Sequence, residues 1–151
     1  METSRVDRAV ISVWRWQGVL MTSIATLFAF GLVIRFGAPG LIAPLLIAAV
    51  GFTLSLTLPQ AYYRRLRFGV DATGIAIERG ILWRSRIALP RARIQHTDVS
   101  QGPLQRRFGV GTLKLYTAGS RYTKIELPGL AHADAIALRD ALLAENRDSG
   151  V

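Results

Sequence analysis

Three polar residues at alternate positions, His96, Asp98 and Ser100, are the side chains most suggestive of chemistry in this sequence. They are the residue types of a hydrolase triad, in which a serine attacks, a histidine moves the proton and an aspartate orients the histidine. A strand would place all three on one face, but side chains two residues apart on one strand cannot converge on a single atom. We therefore predict no catalytic site. We expect these groups to hydrogen-bond the loop at Gly102 and Pro103, with His96 buried and satisfied.

The sequence lacks the residues that binding of a metal, a cofactor or nucleic acid would need. The chain has no cysteine, and His132 stands alone, so the sequence predicts no metal site. The glycines of Phe108-Gly-Val-Gly111 are not followed by the Lys-Ser/Thr of a phosphate loop, and we expect no cofactor. The net charge of +9 would suit nucleic acid, but basic patches with interleaved aromatic residues are missing. We predict a protein that is not an enzyme and binds no nucleic acid.

Arginine clusters are the stronger signal for binding. Arg64, Arg65 and Arg67 follow an apolar stretch, and Arg84 and Arg86 alternate along a predicted strand. A guanidinium group can hold a phosphate through two parallel hydrogen bonds, so these five residues are candidates to bind anionic lipid headgroups. The alternative is that the first three only set membrane topology and the other two lie on a solvated strand face. Four further arginines are candidates to contact a partner: Arg91, Arg93, Arg106 and Arg107.

Two long apolar stretches must position these arginines. The first covers residues 16–34, about 19 residues or roughly 28 Å of helix, and the second covers residues 41–58. Arg35 is the only charged residue between Trp16 and Tyr63. A helix that is apolar on every side must be buried in a membrane or in a large core, and 151 residues are too few to supply that core. The sequence therefore predicts a transmembrane helical hairpin with a tight turn at residues 37–40.

Positive residues on either side of the hairpin predict its orientation. Arg5, Arg8 and Arg15 precede the first span and three arginines follow the second, whereas the short connection contains only Arg35. Because positive residues resist translocation, both ends of this multi-pass chain should lie in the cytoplasm. Aromatic rings with a polar edge suit the headgroup layer, which makes four residues candidate membrane-interface anchors. These are Trp14, Trp16, Tyr62 and Tyr63.

The predicted organisation has three segments: a cytoplasmic N-terminal segment at residues 1–15, the transmembrane hairpin at residues 16–63 and a cytoplasmic domain at residues 64–151. Val6, Val10 and Val13 have helical spacing. They indicate a short interfacial helix before the first span, or else a frayed segment. Small residues that could allow the two long helices to approach closely are Gly31, Gly51, Ala48 and Ala49.

The period of the apolar residues changes after Arg67, from helical to alternating. Trp83, Ser85, Ile87 and Leu89 predict a half-buried strand that ends at residue 90. Further strands are predicted near residues 68–71, 75–79, 94–99, 112–117 and 122–127, with a turn at 118–120 and a stop at residues 128–129. An amphipathic helix is predicted at residues 132–146. Short strands followed by one terminal helix indicate a small bent antiparallel sheet that the helix caps.

One stretch of this domain resembles a known family. It runs from Leu89 to Leu113 and continues to Tyr116-Thr-Ala-Gly119. It resembles the bacterial pleckstrin-homology-like (PH-like) membrane proteins of the YdbS-like family, and the resemblance covers essentially the whole chain. Its closest motif matches are Arg93-Ile-Gln-His96, Gln101-Gly-Pro103 and Arg106-Arg-Phe-Gly109.

The resemblance implies a fold and a setting. The expected fold is a membrane α-helical hairpin followed by an α+β, mainly β, PH-like split barrel capped by a C-terminal helix. The expected location is the bacterial cytoplasmic membrane. Members of the family often occur beside a larger relative with several copies of the domain, so such a membrane protein is the implied partner.

These observations lead to one main functional hypothesis. The chain is expected to be a membrane-anchored, non-enzymatic interaction module that binds a membrane protein at the inner face of the membrane. Tethering raises the local concentration of the domain there, so weak contacts suffice. Two alternatives stay open: a sensor of anionic lipid headgroups, and an accessory subunit of a transport or export system.

Overall fold

A computed structural model of the chain describes residues 3–36, 40–117 and 124–148. The chain forms two compact units: residues 11–61, and a domain to which residues 1–10 and 62–151 belong. The elements in chain order are β1 (Thr3–Arg5), α1 (Ala9–Phe36), α2 (Ile42–Arg65), β2 (Arg67–Asp71), β3 (Gly74–Arg79), β4 (Ser85–Pro90), β5 (Ile94–Ser100), α3 (Pro103–Arg107), β6 (Val110–Thr117), β7 (Lys124–Ala131) and α4 (His132–Asp148). A single 3-10 turn, Arg91–Arg93, separates β4 from β5.

The unit of residues 11–61 consists of two helices that are apolar on nearly all sides. Both α1 and α2 are long and apolar enough to cross a membrane, and only 6% and 11% of the residues in their most apolar stretches are buried. Leu27 and Ile42, for example, are each 71% exposed. Such a surface is stable where it meets lipid rather than water. The predicted pair of apolar helices is therefore confirmed, while residues 37–39 of the predicted turn lie outside the described residues.

A reciprocal pair of glycine contacts brings the two helices together. Gly18 lies against Ser55, and a Cβ atom added to Gly51 would come within 2.5 Å of Thr22 Cγ2. Between these contacts, Thr22 Oγ1 is 3.3 Å from Ser55 Oγ. The close approach predicted at Gly51 is confirmed. The one predicted at Gly31 is wrong, because nothing lies within 4 Å of a Cβ atom added there.

Both long helices extend beyond the predicted spans. α1 begins at Ala9, whose N–H donates to Asp7 Oδ1 (2.8 Å), so that the aspartate caps the first turn. The segment predicted as a separate interfacial helix or a frayed end is thus partly the start of α1. α2 runs through Pro59 and ends at Arg65.

The domain is built from two antiparallel sheets, in the strand orders β1-β2-β3-β4 and β5-β6-β7. In the first sheet Ile75 pairs with Leu89 and Ile77 pairs with Ile87, and all four side chains are buried. Their alternation with exposed residues places them on one face. The second sheet contributes a matching buried set: Val110, Leu113, Leu115, Ile125 and Leu127.

The terminal helix packs against the second sheet as predicted, and Arg91 helps to hold it. α4 contacts β5, β6 and β7, and its Ala135 and Leu142 are fully buried. Arg91 Nη1 donates to the Ala141 carbonyl oxygen (3.3 Å), and Arg91 Nε donates to the Asp71 carbonyl oxygen (3.1 Å). One side chain therefore joins the end of β2 to α4.

The first strand, β1, was not predicted from the sequence. It pairs antiparallel with β2 and extends the first sheet by one strand. The segment that follows it is fixed by the Asp7 N–H, which donates to the Gly129 carbonyl oxygen (2.7 Å), and by Val6 and Val10, which are buried. The N-terminal residues are thus structurally part of the domain that follows the two long helices.

Several predicted boundaries in the domain are wrong, including the start of β6, which is Val110 rather than residue 112. β4 begins at Ser85 rather than Trp83. β7 continues through Pro128 and Gly129 to Ala131, since a shift of register between Gly111 and Thr112 accommodates the extra residue. α4 continues two residues past the predicted end, to Asp148. The turn predicted at 118–120 and the start of the strand predicted at 122–127 lie outside the described residues.

Candidate functional site: an arginine groove

The five arginines predicted as headgroup ligands line one groove of the domain. This arginine groove encloses about 370 Å³ and is partly open, a volume within the range of small-molecule pockets. Its lining residues are Arg64, Arg65, Arg67, Glu78, Arg79, Gly80, Arg84, Ser85 and Arg86. The two clusters lie far apart in the chain, and the fold brings them to one place.

Strand register places three charged residues of the groove in a row. β2 and β3 pair Arg67 with Glu78, and β3 and β4 pair Glu78 with Arg86. Directly opposed residues share a face of the sheet, so the three side chains are neighbours. Arg86 Nη2 lies 2.6 Å from Glu78 Oε1, with the two side chains 75% and 38% exposed. An ion pair this exposed contributes only about 0.2–1 kcal/mol, so it leaves Arg86 available to another anion.

The end of α2 supplies the other side of the groove. Arg64 and Arg65 are its last two residues, and the fully buried Leu66 fixes the turn into β2. Arg65 Nη1 donates to the Ile81 carbonyl oxygen (3.1 Å), which ties the helix end to the loop between β3 and β4.

The groove is strongly positive, because six arginines face one glutamate. Arg79 also lines the groove, although the sequence did not predict it as a site residue. Its Nη1 donates to the Glu126 carbonyl oxygen at 3.5 Å. The side chains of Arg64, Arg67 and Arg84 make no hydrogen bond or ion pair with any residue in the described parts of the chain. Three guanidinium groups therefore converge without a hydrogen bond or ion pair among the described residues, as in a site for an anion.

The loop at residues 80–84 borders the groove and exposes two large apolar side chains. Leu82 is 90% exposed and Trp83 is 87% exposed, so the prediction that Trp83 lies on the half-buried face of a strand is wrong. Gly80 has φ +116°, and an added Cβ atom would collide with the Trp83 carbonyl oxygen. The chain turns too tightly at Gly80 for the strand pattern to extend back to Trp83.

The four arginines predicted to contact a partner fall into two kinds. Arg91 is half-buried and bonded within the domain, which gives it a structural role. Arg93, Arg106 and Arg107 are exposed, and their side chains make no hydrogen bond or ion pair with a residue that the structure describes. None of the four lines the arginine groove.

The four predicted interface anchors also differ in exposure. Trp16 is 58% exposed, and Trp14 is half-buried. Tyr62 is half-buried, whereas Tyr63 is only 9% exposed. The ring of Tyr63 therefore belongs to the packing of the domain and presents little surface to a headgroup layer.

His96, Asp98 and Ser100 do lie on one strand, β5, as predicted. His96 is exposed, however, and its ring packs at 5.6 Å from that of Tyr116. The expectation that His96 is buried is wrong, because a register shift between Ile94 and His96 turns His96 outward and Thr97 inward.

Two glutamines, rather than those three residues, hold the loop before α3. The Gly102 N–H donates to Gln105 Oε1 (2.9 Å), and Gln105 Nε2 donates to Thr112 Oγ1 (2.9 Å). Gln101 Nε2 donates to the Val110 carbonyl oxygen (2.9 Å). The sequence pattern did not reveal this network, since amide side chains carry no periodic signal.

The far end of β2 from the groove is fixed by a carboxylate. Asp71 Oδ1 accepts hydrogen bonds from Thr73 Oγ1 (2.6 Å), Thr73 N (2.9 Å) and Gly74 N (3.0 Å). The hydroxyl of Thr73 is the main reason why the pKa of Asp71 lies below its ordinary value, because it stabilises the ionised form.

In the described residues, seven strands form two antiparallel sheets, which a terminal helix caps and which are joined to two apolar helices. This is a membrane-type PH-like architecture. A family model described as Bacterial PH domain matches residues 19–146. The chain therefore belongs to the bacterial PH domain family. It is 29% identical over 139 residues to the UPF0699 transmembrane protein YdbS of Bacillus subtilis (strain 168). The aligned region covers 87% of this chain and 85% of that protein. No solved structure matches the chain.

Proposed function

We propose that this protein is a non-enzymatic, membrane-anchored PH-like module whose arginine groove binds the phosphate of anionic lipid headgroups. The convergence of the Arg64, Arg67 and Arg84 side chains in one groove, without ion pairs among the described residues, carries the proposal. It favours the headgroup alternative over the protein partner that was expected first from the sequence.

Membrane anchoring by α1 and α2 supplies the setting. Two candidate spans and a relative named as a transmembrane protein support it. The excess of arginine before the first span and after the second supports a cytoplasmic domain at the cytoplasmic membrane. Because Arg64 and Arg65 end α2, the groove begins within a few residues of the second span.

Recognition of phosphate follows from the chemistry of the guanidinium group. Each arginine presents several N–H donors in a planar fork that matches two phosphate oxygens. A cation near an anionic leaflet contributes about 1 kcal/mol to attraction, so three unpaired arginines select anionic over zwitterionic headgroups.

The test is a lipid titration of the full chain in a mild neutral detergent. Short-chain phosphatidylglycerol, short-chain phosphatidylcholine and inorganic phosphate are added separately, and binding is followed by thermophoresis. We expect the anionic lipid to bind most tightly. The double variant Arg64→Gln with Arg84→Gln should weaken the binding of the anionic lipid about 30-fold. This corresponds to two contributions of about 1 kcal/mol.

The matched control removes the same charge elsewhere, through Arg106→Gln with Arg107→Gln. These residues are exposed and do not line the groove, so the affinity should change less than about threefold. Equal loss in both double variants would mean non-specific attraction by net charge and would contradict a groove site. Equal binding of the anionic and zwitterionic lipids would contradict it too.

A second candidate function, binding of an acidic surface on a membrane protein, is favoured by α3. Arg106 and Arg107 stand exposed on it, and Gln105 fixes its position through two hydrogen bonds. The test is purification in mild detergent of the native chain and of Arg106→Glu with Arg107→Glu. A specific partner should be lost in the variant, and recovery of the native chain alone counts against this function.

A further inference from the structure

The loop at residues 80–84 is an apolar tip on an otherwise polar surface. Leu82 and Trp83, at 90% and 87% exposure, are the most exposed large apolar side chains that the structure describes. The strands on either side turn Ile77 and Ile87 into the core, so the tip is not a continuation of that apolar face. Transfer of two large exposed apolar side chains from water to an apolar environment is favourable.

This apolar tip is held in a defined position. Gly80 makes the sharp turn that begins the loop, with φ +116°. The Ile81 carbonyl oxygen then accepts the hydrogen bond from Arg65 Nη1 (3.1 Å). Arg65 is the last residue of α2, whose preceding residues form the second candidate span. The tip is therefore tied, through one side chain, to the last residue of α2.

The charges at the base of the tip indicate what it meets. Arg84 follows Trp83 directly and lines the arginine groove, as do Arg64 and Arg65. An apolar tip with cations at its base is complementary to a bilayer whose headgroups are anionic and whose acyl chains are apolar. Tryptophan is the side chain that suits the boundary between those layers.

We infer that Leu82 and Trp83 insert into the interfacial layer of an anionic lipid bilayer, next to the headgroups held by the arginine groove. The inference rests on the proposed function for the membrane anchoring of the chain. It adds a point of attachment for the domain besides α1 and α2.

The experiment uses the full chain, reconstituted in nanodiscs with and without phosphatidylglycerol. Trp14→Phe with Trp16→Phe leaves Trp83 as the only tryptophan. We expect its emission to be blue-shifted in anionic nanodiscs, protected several-fold from aqueous acrylamide, and quenched by lipids brominated near the headgroup end of their acyl chains. Quenching that persists in nanodiscs without phosphatidylglycerol also supports insertion, then driven by the apolar tip alone.

A second measurement keeps the test independent of the tryptophan replacements. The native chain has no cysteine, so a spin label at Leu82→Cys reports on one site. Its matched control is Ala137→Cys, at an exposed position of α4. The label at 82 should be more accessible to oxygen than to an aqueous nickel complex, and the label at 137 the reverse.

The inference is overturned if Trp83 stays accessible to acrylamide and unquenched by brominated lipid in anionic nanodiscs, or if the label at 82 behaves like the label at 137. Protection from acrylamide without lipid quenching would mean that protein covers the tip, which also overturns it. The headgroup titration is a separate readout, because it is done with soluble lipid in detergent. Failure of the groove and failure of the tip are therefore distinguishable.

Discussion

Gly129 lies directly against Val10, so closely that a Cβ atom on Gly129 would come within 2.7 Å of Val10 Cγ2. Gly129 also has φ +84°, a left-handed conformation that favours glycine. The contact joins the N-terminal segment to the last strand of the domain. It explains why β7 has a glycine at position 129, since any side chain there would overlap Val10.

Gly129→Ala should therefore destabilise the domain through two separate effects. The left-handed backbone costs an alanine about 1–2 kcal/mol, and the overlap with Val10 adds roughly 1–3 kcal/mol. Gly109→Ala is the matched control, because Gly109 has φ +67° but nothing within 4 Å of an added Cβ atom. Thermal unfolding in detergent should show a clearly lower midpoint for Gly129→Ala than for Gly109→Ala. Equal midpoints would mean that Val10 does not press on Gly129.

Removal of the segment before α1 should also destabilise the domain. A chain that begins at Ala9 loses β1 and leaves an edge of β2 unpaired. It also loses Val6, whose burial contributes roughly 2 kcal/mol. Amide hydrogen exchange across β2 should accelerate in this chain.

Point variants separate the lost strand from the lost core contact. Val6→Ser places a polar group at a buried position, whereas Arg8→Ser changes an exposed one. We expect Val6→Ser to lower the unfolding midpoint and Arg8→Ser to leave it within a degree or two, since surface changes are usually within ±0.5 kcal/mol. If Val6→Ser proves as stable as Arg8→Ser, the N-terminal segment does not contribute to the core.

Periodicity predicted most of the fold and failed where an element depends on its partner. Uninterrupted apolar residues identified the two long helices, and alternation around Ile77 and Ile87 identified their strands. β1 has only three residues, too few for any period, and it exists because β2 offers it an edge. Trp83 continued the alternation of β4 by chance, while the turn at Gly80 set the true start of the strand.

The sequence predicted which arginines belong to the candidate site, but it did not predict that they converge in one groove. Exposed arginines on a strand and after a span can be read from the sequence, and all five predicted headgroup ligands line the groove. Their convergence depends on the register that sets Arg67 opposite Glu78 and Glu78 opposite Arg86. Register is a property of the folded sheet, so Arg79 and Glu78 could not be assigned to the site beforehand.

The contact between the long helices can be tested with an engineered disulfide. Thr22 Oγ1 and Ser55 Oγ are 3.3 Å apart, which suits a disulfide between cysteines at these positions. The native chain has no cysteine to interfere. Thr22→Cys with Ser55→Cys should cross-link on mild oxidation in detergent, as read by intact mass. Thr22→Cys with Thr53→Cys should not, because Thr53 is exposed.

A bulky residue at the glycine contact should abolish that cross-link. In the Thr22→Cys, Ser55→Cys chain, Gly51→Leu places a side chain where an added Cβ atom already meets residue 22. Gly31→Leu is the control, since Gly31 has open space around it. We expect the cross-link yield to fall several-fold with Gly51→Leu alone. Equal yields in the two variants would show that Gly51 is not at the helix contact.

The turn after β2 should give the domain a pH-dependent contribution to stability. Hydrogen bonds, chiefly that from the Thr73 hydroxyl, lower the pKa of Asp71 in the folded state. A group whose pKa is lower when folded stabilises the fold above its unfolded pKa, and this stabilisation is lost as the pH falls through the folded pKa. Thr73→Ala should therefore raise the pKa of Asp71, lower stability at neutral pH and converge with the native chain in acid.

The measurement for Asp71 is an NMR titration of its carboxyl carbon, with unfolding midpoints at neutral and acidic pH. Thr73→Ser is the matched variant, because it keeps the hydroxyl that donates to Asp71 Oδ1. It should leave the pKa of Asp71 low. An unchanged titration in Thr73→Ala would mean that the backbone N–H groups of Thr73 and Gly74 suffice to hold the ionised carboxylate.

The turn at Gly80 links the shape of the loop to the affinity of the groove. An added Cβ atom there collides with the Trp83 carbonyl oxygen, so Gly80→Ala must displace the loop and with it Arg84. Displacement of one cation should weaken the binding of short-chain phosphatidylglycerol about fivefold, which is equivalent to about 1 kcal/mol. Gly102→Ala is the control, since its added Cβ atom meets only Gln105 Oε1 at 3.9 Å. Thermophoresis should show weaker lipid binding for Gly80→Ala alone, and native affinity in both variants would mean that the position of Arg84 does not matter for the headgroup.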